Sequence, residues 1–329
     1  MVVWLFMVVS DNKSYKIQLL RGLAIIAVVV IHSTPGGLAQ IWCRPLLNFA
    51  VGMFLFLSGM LSNANKWNPG VRFFKVVVPY IIWTMVYVLI ENFKIPTKIP
   101  SVYLYDLLTG KSASIMYYVF VYCQFTFLIP LIDKLGKSKY RYVGFLISPL
   151  EIIFVRLIPL IIGYEINEVI RIIMSLSCLG WFTYYYLGYL LGNGMLRLKI
   201  TTPNLVLIHF VGIILQILEG YWYYSMGEVN CGTQLKLSAI LTGTIFVLLG
   251  YRFITSEKKV MAKMLYFLGN YSFGIYFSHL AVMSFLNYIP FYSEYIKYPL
   301  NAISVIVISF LFVFIGRKML GKYSKYFAF

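Results

Sequence analysis

Apolar residues fall into ten runs along the chain, at roughly 17–32, 46–61, 74–92, 115–132, 142–162, 171–191, 205–224, 237–254, 265–286 and 299–316. At 1.5 Å per residue, about 20 apolar residues cross the ~30 Å hydrocarbon layer of a membrane as a helix. Short polar loops separate the runs, and no linker, repeat or low-complexity stretch divides them. The pattern predicts an all-α polytopic membrane protein: about ten transmembrane helices in one bundle, with residues 1–329 forming a single membrane-embedded domain. Residues 1–9 are apolar but too short to span, and they lack the basic start and cleavage site of a signal peptide.

The first run, I-Q-L-L-R-G-L-A-I-I-A-V-V-V-I-H, carries three polar side chains, Gln18, Arg21 and His32. Eleven residues at ~100° each bring Arg21 and His32 back to nearly the same direction, about 16 Å apart along the axis. Gln18, three residues before Arg21, shares that stripe. A polar stripe on a spanning helix has to face protein, so a cation at one depth and an imidazole about half a membrane away suggest a ligand held at one end and transformed at the other.

Composition fits this reading. The chain is 60% hydrophobic and 12% charged, with a mean hydropathy of +0.81. The net charge of +17 could suggest nucleic acid, but the lysines and arginines sit in the short loops between apolar runs, where they set orientation. Nineteen of the 28 fall in the loops on the side of the N-terminus and seven on the opposite side, with Arg21 and Arg156 inside runs. The alternation predicts both termini in the cytoplasm. Arg21 then lies near the cytoplasmic face and His32 toward the outer half. Cys43, Cys123, Cys178 and Cys231 show no metal-ligand spacing, and no metal is expected. Cys43 and Cys231 share a side and could pair, although two free thiols are the simpler reading.

Other polar groups interrupt later runs. Arg72 and Lys75 stand three apart at the start of the third helix, sharing a face at the membrane surface in a pattern suited to phosphate; topology alone would also put cations there. Gln124 is a lone amide in the fourth run. Glu151 and Arg156 lie inside the fifth, where charges are functional candidates by default; five residues apart, each is expected to pair with a different helix. His279 in the ninth run lies at a depth similar to His32. His209 has no polar companion and reads as structural.

Arg21-x10-His32 within L-R-G-L-A-I-I-A-V-V, then F-L-F-L-S-G at 54–59, Arg72-x-x-Lys75 leading into Pro79-Tyr80, the 124–130 segment and L-G-N-Y-S-F-G-I-Y-F-S-H at 268–279 together resemble the membrane-bound acyltransferase-3 family of bacterial O-acyltransferases. The resemblance covers residues 18–279. It implies transfer of an acyl group, usually acetyl from acetyl-CoA, to a hydroxyl of a cell-surface or lipid-linked polysaccharide by a multi-pass protein of the bacterial inner (plasma) membrane. On that reading His32, with Arg21 and Gln18, forms the catalytic stripe. Arg72, Lys75 and Arg21 bind the CoA donor, and Gln124, His279, Glu151 and Arg156 face the acceptor. The chain departs from the family where Gln18 and Lys75 replace the Asp and Arg of many members, and the Trp-Ser-Leu-x-x-Glu pattern of some members is missing.

The residues agree with this chemistry. A sugar hydroxyl needs a base that titrates near working pH, and imidazole is the natural choice. The spacing of Arg21 and His32, about 16 Å, suits an extended pantetheine arm. A polysaccharide transporter or flippase is the alternative; it would favour pseudo-symmetric halves, and no such repeat is seen. A polymerase would want its basic residues outside. The sequence leaves open the sugar, the acyl chain, the oligomeric state and whether His32 acts as base or acyl carrier.

Overall fold

A computed structural model describes residues 11–253 and 260–329; residues 1–9, and Lys258 and Lys259 of the charge pattern, lie outside the described residues. The chain is 81% helical, with no strand among the described residues. The helices are α1 (Asp11–Ser33), α2 (Leu38–Cys43), α3 (Ala50–Met60), α4 (Pro69–Asn92), α5 (Ile99–Thr109), α6 (Tyr117–Lys137), α7 (Ile147–Ile152) and α8 (Ile158–Ile162). They continue with α9 (Glu168–Leu176), α10 (Phe182–Gly192), α11 (Thr202–Ser225), α12 (Leu237–Phe253), α13 (Val260–Asn287), α14 (Pro290–Tyr295) and α15 (Leu300–Leu320).

Among the described residues seven helical segments are long and apolar enough to cross a membrane. The ten apolar runs are not ten such helices, for physical reasons. α12 has 17 residues and α10 only 11. α13 is long, at 28 residues, but Asn270, Ser272, Ser278 and His279 dilute its apolar character. The sixth run is broken at Ser177, whose backbone is extended. Gln124 satisfies the backbone groups that the break frees: its Nε2 donates to the Leu176 carbonyl at 2.7 Å, and its Oε1 accepts from the Cys178 N–H at 3.0 Å. Irregular backbone at membrane depth requires such a partner.

α1 lies at the centre. Its window is 61% buried, against 17% for the segment 141–162 at the rim. The rim helices present Leu, Ile and Phe outward, as a lipid-facing surface should. α1 ends where Ser33 and Thr34 turn their hydroxyls back onto the Val29 and Val30 carbonyls and Pro35 and a left-handed Gly37 follow. α4 starts at Pro69 behind Asn68, whose side chain accepts the Val71 N–H. α10 is buried almost throughout. Its tyrosines reach partners on four separate segments: Tyr184 the Ala239 carbonyl, Tyr185 the Ser62 hydroxyl, Tyr186 the Arg141 carbonyl and Tyr189 the Asp133 carboxylate. Each aromatic body fills the core while its hydroxyl stays satisfied.

Loops that the charge alternation assigns to one side meet each other. Asn63 bonds Asn193 and Arg141 bonds the Met195 carbonyl at one end of the bundle. Trp42 bonds Tyr221, and Asn48 bonds the Gly232 carbonyl, at the other.

Candidate active site

The site begins with the seam between α1 and α13. Gly22 faces the Leu265 carbonyl and Gly269 the Gln18 carbonyl so closely that neither position has room for a Cβ. Small residues allow this backbone approach between membrane helices, and it sets His32 against His279. The ring centroids are 5.3 Å apart with planes at 52°. His279 is fully buried. Its Nδ1 lies 3.0 Å from the Ile275 carbonyl oxygen and 2.7 Å from that of Tyr276. Carbonyls only accept, so Nδ1 carries the hydrogen and the bare Nε2 faces the site without a protein partner. His32 is partly buried.

From this pair a row of polar rings runs toward the other end. Tyr276 lies 6.2 Å from His279, Tyr118 lies 5.3 Å from Tyr276, and Tyr122 lies 6.3 Å from Tyr118. Arg21 sits within electrostatic reach of Tyr118 and Tyr122, and Tyr122 also faces Arg72. Arg21 and His32 therefore share one side of α1, inside the protein. Arg72 is turned inward: its guanidinium donates to the Ser62 hydroxyl at 2.7 Å and to the Leu61 carbonyl at 3.4 Å. Ser62 and Tyr185 offer Arg72 a polar corner that α4 alone does not predict. Lys75 is exposed. Gln18 is buried, and its amide oxygen has no partner. Fourteen residues, or about 21 Å of helix, separate it from His32, so it belongs to the Arg21 end.

Glu151 and Arg156 lie on adjoining turns of one segment. Arg156 sits within a π-helical turn, Ile153–Leu157, that follows directly on the helix holding Glu151. This wider turn carries Arg156 round toward Glu151, and the two stand within electrostatic reach without a salt bridge among the described residues; Glu151 also lies against Gly180. Arg156 also reaches Tyr117 and Tyr223. Gln124 has both ends of its amide engaged with the chain break described above.

Two cations read from sequence as loop charges are part of this end of the site. Arg44 donates to the Ile31 carbonyl at 3.4 Å, stands within electrostatic reach of His32, and has a buried Nε without a partner. Lys236 is 1% exposed. Its Nζ donates to the Cys231 carbonyl at 2.9 Å and the Gln216 carbonyl at 3.3 Å, and it lies 5.9 Å from the Tyr223 ring. Burial lowers its pKa to about 8. Glu219 caps α12, accepting from the Leu237 and Ser238 N–H groups and the Ser238 hydroxyl. The available signal was the scarcity of basic residues in the loops on that side. All four cysteines are free, Cys43 and Cys231 included.

The family model described as an acyltransferase domain matches residues 14–317. No curated protein matches the chain, and no solved structure does.

Proposed function

This chain belongs to the membrane acyltransferase-3 family, and from that premise we propose that it transfers an acetyl group from acetyl-CoA to a hydroxyl of a cell-surface or exported polysaccharide. The observation that supports the reading most is the continuous polar row from Arg72 through Tyr122, Arg21, Tyr118, Tyr276 and His279 to His32. It joins the two ends of a bundle whose other helices show lipid an apolar face. We assign the Arg72 end to the cytoplasm of a bacterial inner membrane, with both termini there and with α10, α12 and α13 completing about ten passes.

The donor enters from the cytoplasm. Arg72 has five donor positions, some of them used on Ser62, Leu61 and Tyr185, and the rest are open to a CoA phosphate; Lys75 adds a point charge. Arg21 guides the pantetheine arm along Tyr118 and Tyr122, with Gln18 beside it. The thioester stops at His32. His32 takes the proton of the acceptor hydroxyl as the oxygen bonds to the thioester carbonyl carbon. The C–S bond then breaks, and the departing CoA sulfur takes the proton from the imidazolium, which leaves His32 as it began. The bare Nε2 of His279, without a protein partner, stands beside His32 as a further acceptor for the bound molecules. Glu151 and Arg156 receive the acceptor, and Gln124 supports this wall through the backbone at Leu176 and Cys178.

The test is His32→Ala. The variant should insert and express as the parent does, while NMR of the surface glycan loses its acetyl signals. Full acetylation by His32→Ala would remove the mechanism. Glycan translocation without any turnover of acetyl-CoA by the purified protein would favour the transporter alternative.

A further inference from the structure

The outer end of the site carries more positive charge than its carboxylates balance. From His32 a polar wall runs through Arg44 and Lys236 to Tyr223 and Arg156. It returns through Tyr117 and Tyr276 to His279. Arg156 has Glu151 within electrostatic reach. Lys236 has Glu219 within reach, although that carboxylate is already held by the start of α12. Arg44 has neither: among the described residues no carboxylate forms a salt bridge with it, and the acidic group acting on it is the Cys231 thiol. Its Nη2 contacts only the Ile31 carbonyl, and its Nε has no partner. A partly buried guanidinium is costly without an anion. The same region leaves the Gln40 amide oxygen, the Tyr223 hydroxyl and a Glu151 carboxylate oxygen without partners, and Gln40 packs beside Arg44 against Gly232. One unanswered cation, ringed by unsatisfied donors and acceptors, is the complement of an anionic group on a polyhydroxylated molecule.

We propose that the acceptor is anionic: a carboxylate or phosphate borne on the acceptor glycan docks on Arg44 and sets a neighbouring hydroxyl against His32. The inference rests on the acyl-transfer reading above and adds the acceptor's chemical class. Arg44 is a binding and positioning residue in this scheme, and Lys236, fixed by two carbonyls, adds long-range attraction.

The experiment uses the purified full-length protein with acetyl-CoA and follows CoA release with three acceptor probes: a glucuronate-containing oligosaccharide, the same oligosaccharide with its carboxyls reduced to alcohols, and a glycerol phosphate oligomer. One of the two charged probes should accelerate CoA release with a kcat/KM at least tenfold above that of the reduced probe. Which one does so tells carboxylate from phosphate. Arg44→Gln should raise KM for the charged probe about 10–100-fold, as expected for a lost charge-assisted pair, and change KM for the reduced probe less than twofold. Arg44→Lys, which keeps the charge without the fork, should fall between. Thermal midpoints verify that both variants fold; if Arg44→Gln does not, the wild-type preference and Arg44→Lys carry the test. Equal use of charged and reduced probes, an equal KM effect of Arg44→Gln on both, or acetyl-CoA turnover that no probe accelerates would overturn the anionic acceptor. A wild-type protein that releases no CoA at all would instead overturn the acyl-transfer reading.

Discussion

Substituting Gly269 by alanine tests whether the α1–α13 seam sets the distance between the two histidines. The new methyl would sit on the Gln18 carbonyl oxygen, and the atoms in its way are backbone, so no side chain can swing aside. Relief requires the two helices to part by on the order of 1 Å, because close-packed backbones have no spare volume. Overpacking of this kind costs about 1–3 kcal/mol. Helices are stiff over the ten residues from Gly269 to His279, so the separation carries to the imidazole pair, now 5.3 Å between centroids. A misplacement of about 1 Å in reacting groups can cost on the order of 100-fold in rate. The measurement is acetyl-CoA turnover by purified protein, alongside the thermal midpoint in detergent. Gly269→Ala and Gly22→Ala should each lower both. Gly36→Ala, where a methyl would meet only the Gln40 amide at 3.9 Å, should lower neither. Gly269→Ala with parental turnover and midpoint would refute the link between seam and site.

Other outcomes follow from the same geometry. Arg72→Ala should raise KM for acetyl-CoA about 10–100-fold, the worth of one or two hydrogen bonds to a charged group, and the same substitution leaves Ser62 and Tyr185 without their cation; steady-state kinetics check it, and an unchanged KM refutes a donor role for Arg72. Lys236 has its pKa lowered by burial from 10.5 to about 8, with Glu219 and Cys231 opposing and Arg44 adding to the shift. The unfolded chain therefore binds the extra proton between pH 8 and 10.5, and stability should rise with pH across that window. Thermal midpoints from pH 7 to 10 should show a slope that Lys236→Met flattens. Glu151→Gln and Arg156→Gln should be non-additive in thermal midpoint, since the π turn brings the two groups within electrostatic reach; strict additivity would contradict their coupling.

Much of this protein is legible in its sequence. The apolar runs declare a helical membrane bundle, because a bilayer core leaves the backbone few other ways to satisfy itself. The polar stripe of α1 needs only helical periodicity, and Arg21 and His32 do share one side of that helix. The loops sort by charge into two alternating sets, and loops of the same set meet. What the chain order could not show is whatever depends on two distant segments touching. Arg72 faces inward because Ser62 and Tyr185 lie there. Gln124 is consumed by a break in the sixth run that becomes visible only when Leu176 and Cys178 lie beside it. Glu151 and Arg156 come together through a local departure from 3.6 residues per turn, which periodicity assumes away. Arg44 and Lys236 look like solvated loop charges in sequence and become part of the site because the 231–236 loop folds back over α2 and α11. Sequence determines which segments are apolar and, where the helix is regular, which way each side chain points from it; tertiary contact decides which polar groups find partners and which are left bare for a ligand.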